Sequence, residues 1–155
     1  MSKLRLTFDT VQYINLRDSV SFGPIARSVL SERFKDGRLF GLLAEDLICS
    51  HFSNIIKTES NTTKGFDLIA NEIGKIEVKS FTKNGCDVSP SFMKGIGRSF
   101  DESNYNEFLD GISGICICDN IDFPDVYIIL KHPDFFLAKR KIHVSERFNL
   151  FQLEE

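Results

Sequence analysis

The stretch Lys64-Gly-Phe-Asp-Leu-Ile-Ala-Asn-Glu-Ile-Gly-Lys-Ile-Glu-Val-Lys79 decides how this chain is read. Two strand-like runs, Phe66–Ala70 and Lys75–Ser80, flank a turn that contains Gly74, and alternation along a strand puts Glu77 and Lys79 on one face. A three-residue loop Glu72-Ile73-Gly74, with the glycine in the left-handed conformation such loops favour, would pair Asn71 with Lys75. Asp67 would then lie opposite Lys79 and diagonal to Glu77, with both acids and the lysine on the same face. Phe66, Leu68, Ile76 and Val78 would make the buried side. A loop of even length would invert the outcome, because a one-residue slip moves every side chain to the other face.

Two carboxylates a few ångströms apart repel unless one is protonated or a cation bridges them, and Mg²⁺ with an incomplete protein shell is a common bridge. Such a centre suits phosphate chemistry: the ion polarises a phosphodiester and acidifies a water, which Lys79 orients or helps to deprotonate. Hydrolysis of a nucleic-acid backbone is the matching reaction.

The acid followed by Glu-x-Lys resembles the PD-(D/E)XK nuclease superfamily, which holds restriction endonucleases, some homing endonucleases and archaeal-type Holliday-junction resolvases. By that resemblance Asp67 is the first metal-binding acid, Glu77 the second and Lys79 the catalytic lysine. The family often adds a glutamate from the preceding helix, and Gly41-Leu-Leu-Ala-Glu45 resembles that segment, with Asp46 as its acidic neighbour. Phe66 stands where the motif's name has proline. The resemblance spans roughly residues 37–82 and implies an α/β fold with a restriction-endonuclease-like core, a mixed central β-sheet flanked by helices. It also implies Mg²⁺ as cofactor, with Mn²⁺ as substitute.

With 155 residues the chain has one domain's length, enough to bury about two-thirds of its unfolded surface. We expect a single nuclease domain over 1–155: a helical N-terminal part, 1–36, a catalytic core, about 37–131, and a C-terminal extension, 132–155. Fifteen phenylalanines and no tryptophan supply the core. Neither a long apolar run nor a secretory leader is visible, so a cytoplasmic protein is expected. Cys49, Cys86, Cys116 and Cys118 contain no Cys-x-x-Cys pair and His51, His132 and His143 are scattered, which argues against zinc. Cys116 and Cys118 read as small buried hydrophobes on one strand face, and Cys49 likewise on its helix.

A net charge of −3 argues against indiscriminate nucleic-acid binding. Cations concentrated on one face would still serve a nuclease. Lys83, Lys94 and Arg98, just past the motif, are the candidate phosphate contacts, and Lys139-Arg140-Lys141 reads as a solvated surface run held in reserve. Cutting both strands takes two active sites, so a homodimer acting on double-stranded or branched DNA is expected. A Holliday-junction resolvase is the nearest rival, and a DNA-binding module with a silent nuclease-like site the rival outside enzymes.

Elsewhere, residues 9–35 read as helical with a break at Ser21-Phe-Gly-Pro24. Leu39–Phe52 reads as a helix apolar on nearly every side, which makes its carboxylates costly unless they are paired or face a metal. Asp101–Leu109 reads as helix, and Ile112–Ile121 and Val126–Lys131 as buried strands. The order of elements after Pro133 is not legible from pattern.

Overall fold

Alternating and continuous apolar runs become strands here, and one-sided apolar runs become helices. In the computed structural model of the chain, the described residues are 3–17, 24–35, 37–57, 66–90, 93 and 97–154. Their elements are β1 (Gln12–Asn15), α1 (Arg27–Phe34), α2 (Gly37–His51), β2 (Ile55–Lys57), β3 (Leu68–Ala70) and β4 (Gly74–Ser80), followed by β5 (Cys86–Asp87), α3 (Glu102–Asp110), β6 (Gly114–Asp119), β7 (Asp125–Lys131), β8 (Lys141–Ile142) and α4 (Arg147–Leu150). The fold is mixed α/β. The central sheet runs in the order β1-β7-β6-β4-β3-β2, and β5 and β8 form a separate two-stranded ribbon. Neighbours in the central sheet are antiparallel except for β4 and β6, which are parallel. The chain between those two contains α3, as a parallel connection requires.

β6 reads Gly-Ile-Cys-Ile-Cys-Asp and every residue of it is buried, because both faces of the sheet are covered. One face packs Leu68, Ala70, Ile76, Cys116 and Cys118 against Phe40, Ala44 and Ile48 of α2. The other packs Ile115, Ile117 and Ile129 against Tyr105, Phe108 and Leu109 of α3, with Phe81, Val88, Phe136 and Phe151. Cys116 and Cys118 do share a fully buried face, as expected. α3 starts at Asp101, whose side chain caps it by accepting from the Asn104 N–H at 2.8 Å.

Several expectations are corrected. Residues 12–15 are not helical: Gln12-Tyr-Ile-Asn15 is an edge strand on β7, with Tyr13 opposite Tyr127 and their rings 5.2 Å apart. Such a cross-strand aromatic pair outweighs weak helical periodicity. α2 is one-sided rather than buried all round: Phe40, Ala44 and Ile48 are fully buried, while Leu39 is 53% exposed and Asp46 and Ser50 face solvent. The loop Thr82–Asp87 closes as a turn, with reciprocal Thr82 and Gly85 backbone hydrogen bonds of 2.9 and 3.0 Å, and leads into β5. The C-terminal segment is tied back by Arg147, which donates to Asp119 at 2.8 Å and to Asp122 at 2.7 Å. Asp119 lies at the buried end of β6, and a buried charge of this kind is tolerated only when paired.

Candidate active site

The turn between β3 and β4 sets the site. Glu72 takes the left-handed conformation, φ 73°, and Gly74 opens β4 at φ 119°. A Cβ on Gly74 would lie 2.4 Å from Ser113 Oγ, so this position requires glycine twice over. The ladder is therefore Ala70↔Gly74, Ile69↔Lys75 and Leu68↔Ile76, with Asn71-Glu72-Ile73 as the loop. The expected Asn71–Lys75 pairing is displaced by one pair. Its parity survives, so Asp67 shares the face of Glu77 and Lys79, but it comes level with Glu77 rather than opposite Lys79. Phe66 departs from its expected side: it packs with the core beneath α3, its ring 5.1 Å from Lys75 Nζ.

Asp67 is where β3 leaves the ladder. Its N–H donates to the Ile76 carbonyl at 2.9 Å, and its Oδ2 accepts from the Val78 N–H at 2.8 Å. Asp67 and Glu77 stand next to each other on this face, near enough for the Asp67 charge to act on the Glu77 carboxyl. Lys79 Nζ is 3.1 Å from Glu77 Oε1 and donates to the Ser89 carbonyl at 3.3 Å. The Glu77 and Lys79 side chains are only 12% and 14% exposed. Burial raises the Glu77 carboxyl above its ordinary range; Lys79 opposes that rise and the Asp67 charge reinforces it. The pair thus keeps a proton on Glu77 more readily than an isolated glutamate does.

Glu45 is half-buried on α2 and Asp46 is exposed. The core residues of α2 meet the sheet face that carries Ile76 and Val78, whereas Glu77 and Lys79 project from the other face, beside Ile115 and Ile117. Among the described residues, no group of three or more His, Cys, Asp and Glu side chains converges as a metal cluster. The acids brought together are Asp67 and Glu77. His51 stands apart, edge-on to Phe52 with ring centroids 4.8 Å apart, and burial lowers its pKa.

Of the candidate phosphate contacts, Lys83 and Arg98 are exposed and Lys94 lies outside the described residues. Sequence reasoning missed Ser89, whose contact with Lys79 is made by a carbonyl and so leaves no trace in side-chain pattern. It also missed the ribbon that joins residues 86–87 to 141–142, whose two-residue strands are too short to show periodicity. No helix among the described residues is long and apolar enough to cross a membrane. No protein-family model matches the chain, and no curated protein or solved structure matches it either.

Proposed function

We propose that the chain is a divalent-metal-dependent DNA endonuclease of restriction or homing type, cutting both strands as a homodimer. One observation carries the reading: Asp67 comes level with Glu77 on one sheet face, its Oδ2 accepting from the Val78 N–H at 2.8 Å, with Lys79 Nζ 3.1 Å from Glu77. The order of the parts supports it, since a helix bearing Glu45, a strand entered at Asp67 and a strand bearing Glu77 and Lys79 follow one another as α2, β3 and β4. The mixed sheet with helices on both faces is compatible with a restriction-endonuclease-like core.

The donor set fits Mg²⁺, which takes one or two carboxylates and completes its shell with water and substrate phosphate. Asp67 and Glu77 would hold it, with Asp67 Oδ2 already accepting from the Val78 N–H. Bound there, the ion would supply charge stabilisation at the phosphodiester and a more acidic water. Glu77 has to release its proton for this, so occupancy is linked to pH. Lys79, steadied by the Ser89 carbonyl, would orient the attacking water and take part in its deprotonation.

The test is cleavage of linear, supercoiled and four-way-junction DNA with Mg²⁺, with Ca²⁺ and with EDTA. Cutting with Mg²⁺, none in chelator and binding without turnover in Ca²⁺ are expected. Full activity in EDTA would overturn the mechanism, and a preference for the junction would favour a resolvase. A second reading has its own support: the low exposure of Glu77 and Lys79 suits a DNA-binding module whose site is silent. Binding without cleavage under every metal condition would select it.

A further inference from the structure

The ribbon brings together two basic stretches that lie far apart in sequence. Asp87 is in register with Lys141 and Cys86 with Ile142, and the Val88 N–H donates to the Arg140 carbonyl at 2.9 Å. Gly85, at φ 104°, lies so close to β8 that a Cβ there would meet the Ile142 carbonyl at 2.4 Å and Lys141 Cε at 3.3 Å. The turn bearing Lys83 is thereby seated beside Lys141. Lys83, Arg140 and Lys141 are all exposed, with two acids nearby: Asp87, in register with Lys141, and Asp101, which follows Phe100. Against a chain of net −3, this is a local excess of positive charge.

Arg140 adds shape to the charge. Its guanidinium carbon sits 3.8 Å from the centroid of the Phe100 ring, and Phe100, 39% exposed, leans on Tyr105 with ring centroids 5.4 Å apart. A guanidinium held over an aromatic ring has its orientation set in advance and offers its outer face as a flat, charged platform. Unstacked nucleobases bind to such planes; paired bases inside a duplex do not present their faces. From β5 the chain runs directly to Ser89, whose carbonyl holds Lys79.

We infer that the β5–β8 ribbon, with Arg140 stacked on Phe100 and Lys83 and Lys141 beside it, is a docking surface for an unpaired strand of nucleic acid leading toward Lys79. This rests on the metal-dependent DNA-cleaving reading of the site and departs from its restriction-type substrate: the DNA carries a single-stranded segment next to the scissile bond, as branched DNA does. Lys83 and Lys141 contact phosphates, and Arg140 stacks on a base.

Fluorescence anisotropy in EDTA, where no cleavage is expected, tests the surface apart from the chemistry. The probes are a labelled single-stranded deoxyoligonucleotide and the blunt duplex of the same sequence. The single strand should bind more tightly. Arg140→Lys, which keeps the charge and loses the plane, should weaken single-strand binding roughly tenfold or more and leave the salt slope unchanged. Lys83→Ala with Lys141→Ala should lower the slope of log affinity against log salt by roughly 1.4, about 0.7 for each single-strand phosphate that the variant no longer neutralises. Equal affinity for the two probes, or an Arg140→Lys protein that keeps its preference, overturns the inference, as does an unchanged salt slope in the lysine double variant. A protein that binds single strands as stated but cleaves nothing keeps this surface and loses the nuclease reading. One that cuts duplex without any single-strand preference does the reverse.

Discussion

Val78 donates its N–H to Asp67 Oδ2 at 2.8 Å, so the peptide group between Glu77 and Lys79 is held by the acid beside them. Asp67 therefore has a structural task beside its proposed chemical one, and substitutions can separate the two. Asp67→Asn keeps an acceptor for Val78 and should cost less than about 1 kcal/mol, whereas Asp67→Ala leaves a half-buried donor unpaired and should cost about 1–3 kcal/mol. Both should lower cleavage by orders of magnitude. Urea denaturation beside a plasmid-cleavage assay reads the two effects, and an Asn variant that cuts normally would remove Asp67 from the metal site.

Glu77 sets a pH dependence whose sign follows from its raised pKa. Between the ordinary glutamate value and the raised folded value, the folded state binds more protons than the unfolded one. Its contribution to stability is thus full below the ordinary value and is lost as pH rises through the folded value. Asp119, raised by burial against the pull of Arg147, contributes with the same sign. Glu77→Gln should flatten part of this decline in denaturation midpoints measured from about pH 4 upward. Cleavage by the native protein should rise over the same window, as Glu77 releases its proton. A Gln variant with an unaltered pH profile of stability would show that Glu77 does not retain its proton on folding.

Lys79 bridges Glu77 and the Ser89 carbonyl. Lys79→Ala should reduce cleavage by orders of magnitude while Mg²⁺ affinity, read by calorimetry, persists. It also removes the cation that opposes the rise at Glu77, so that carboxyl should titrate higher still. Near-native cutting by Lys79→Ala would rule out its role with the water.

Glu45 is half-buried and Asp46 is exposed. By the spacing from Gly41 that resembles the nuclease motif, Glu45→Gln should impair cleavage more than Asp46→Asn. The reverse ranking would mean that the wetter face of α2 serves the site.

Gly74 combines φ 119° with a close approach to Ser113. Gly74→Ala should destabilise the protein by about 2 kcal/mol or more, through backbone strain and the clash together. Adding Ser113→Gly relieves only the clash and should recover part of the loss. If the double variant recovers nothing, the cost at Gly74 lies in its backbone conformation alone.

Much of this was legible in local pattern. Continuous apolar runs marked β6 and β7, Asp101 marked the start of α3, and the period of two put Glu77 and Lys79 on one face; Asp67 joins them only for a loop of odd length, which the structure supplies. The register was not legible: Gly74 lies in the strand, paired with Ala70, where Ser113 from beyond α3 packs close against it. That register brings Asp67 level with Glu77 instead of Lys79. The sidedness of α2 was hidden for a similar reason, since its apolar residues lie all round and only the sheet selects Phe40, Ala44 and Ile48 as the face to bury. The pairing of β5 with β8, which carries Arg140 and Lys141 to the neighbourhood of Lys83, was decided by tertiary structure alone. Strands of two residues have no period to read, and their backbone hydrogen bonds are indifferent to which side chains they carry.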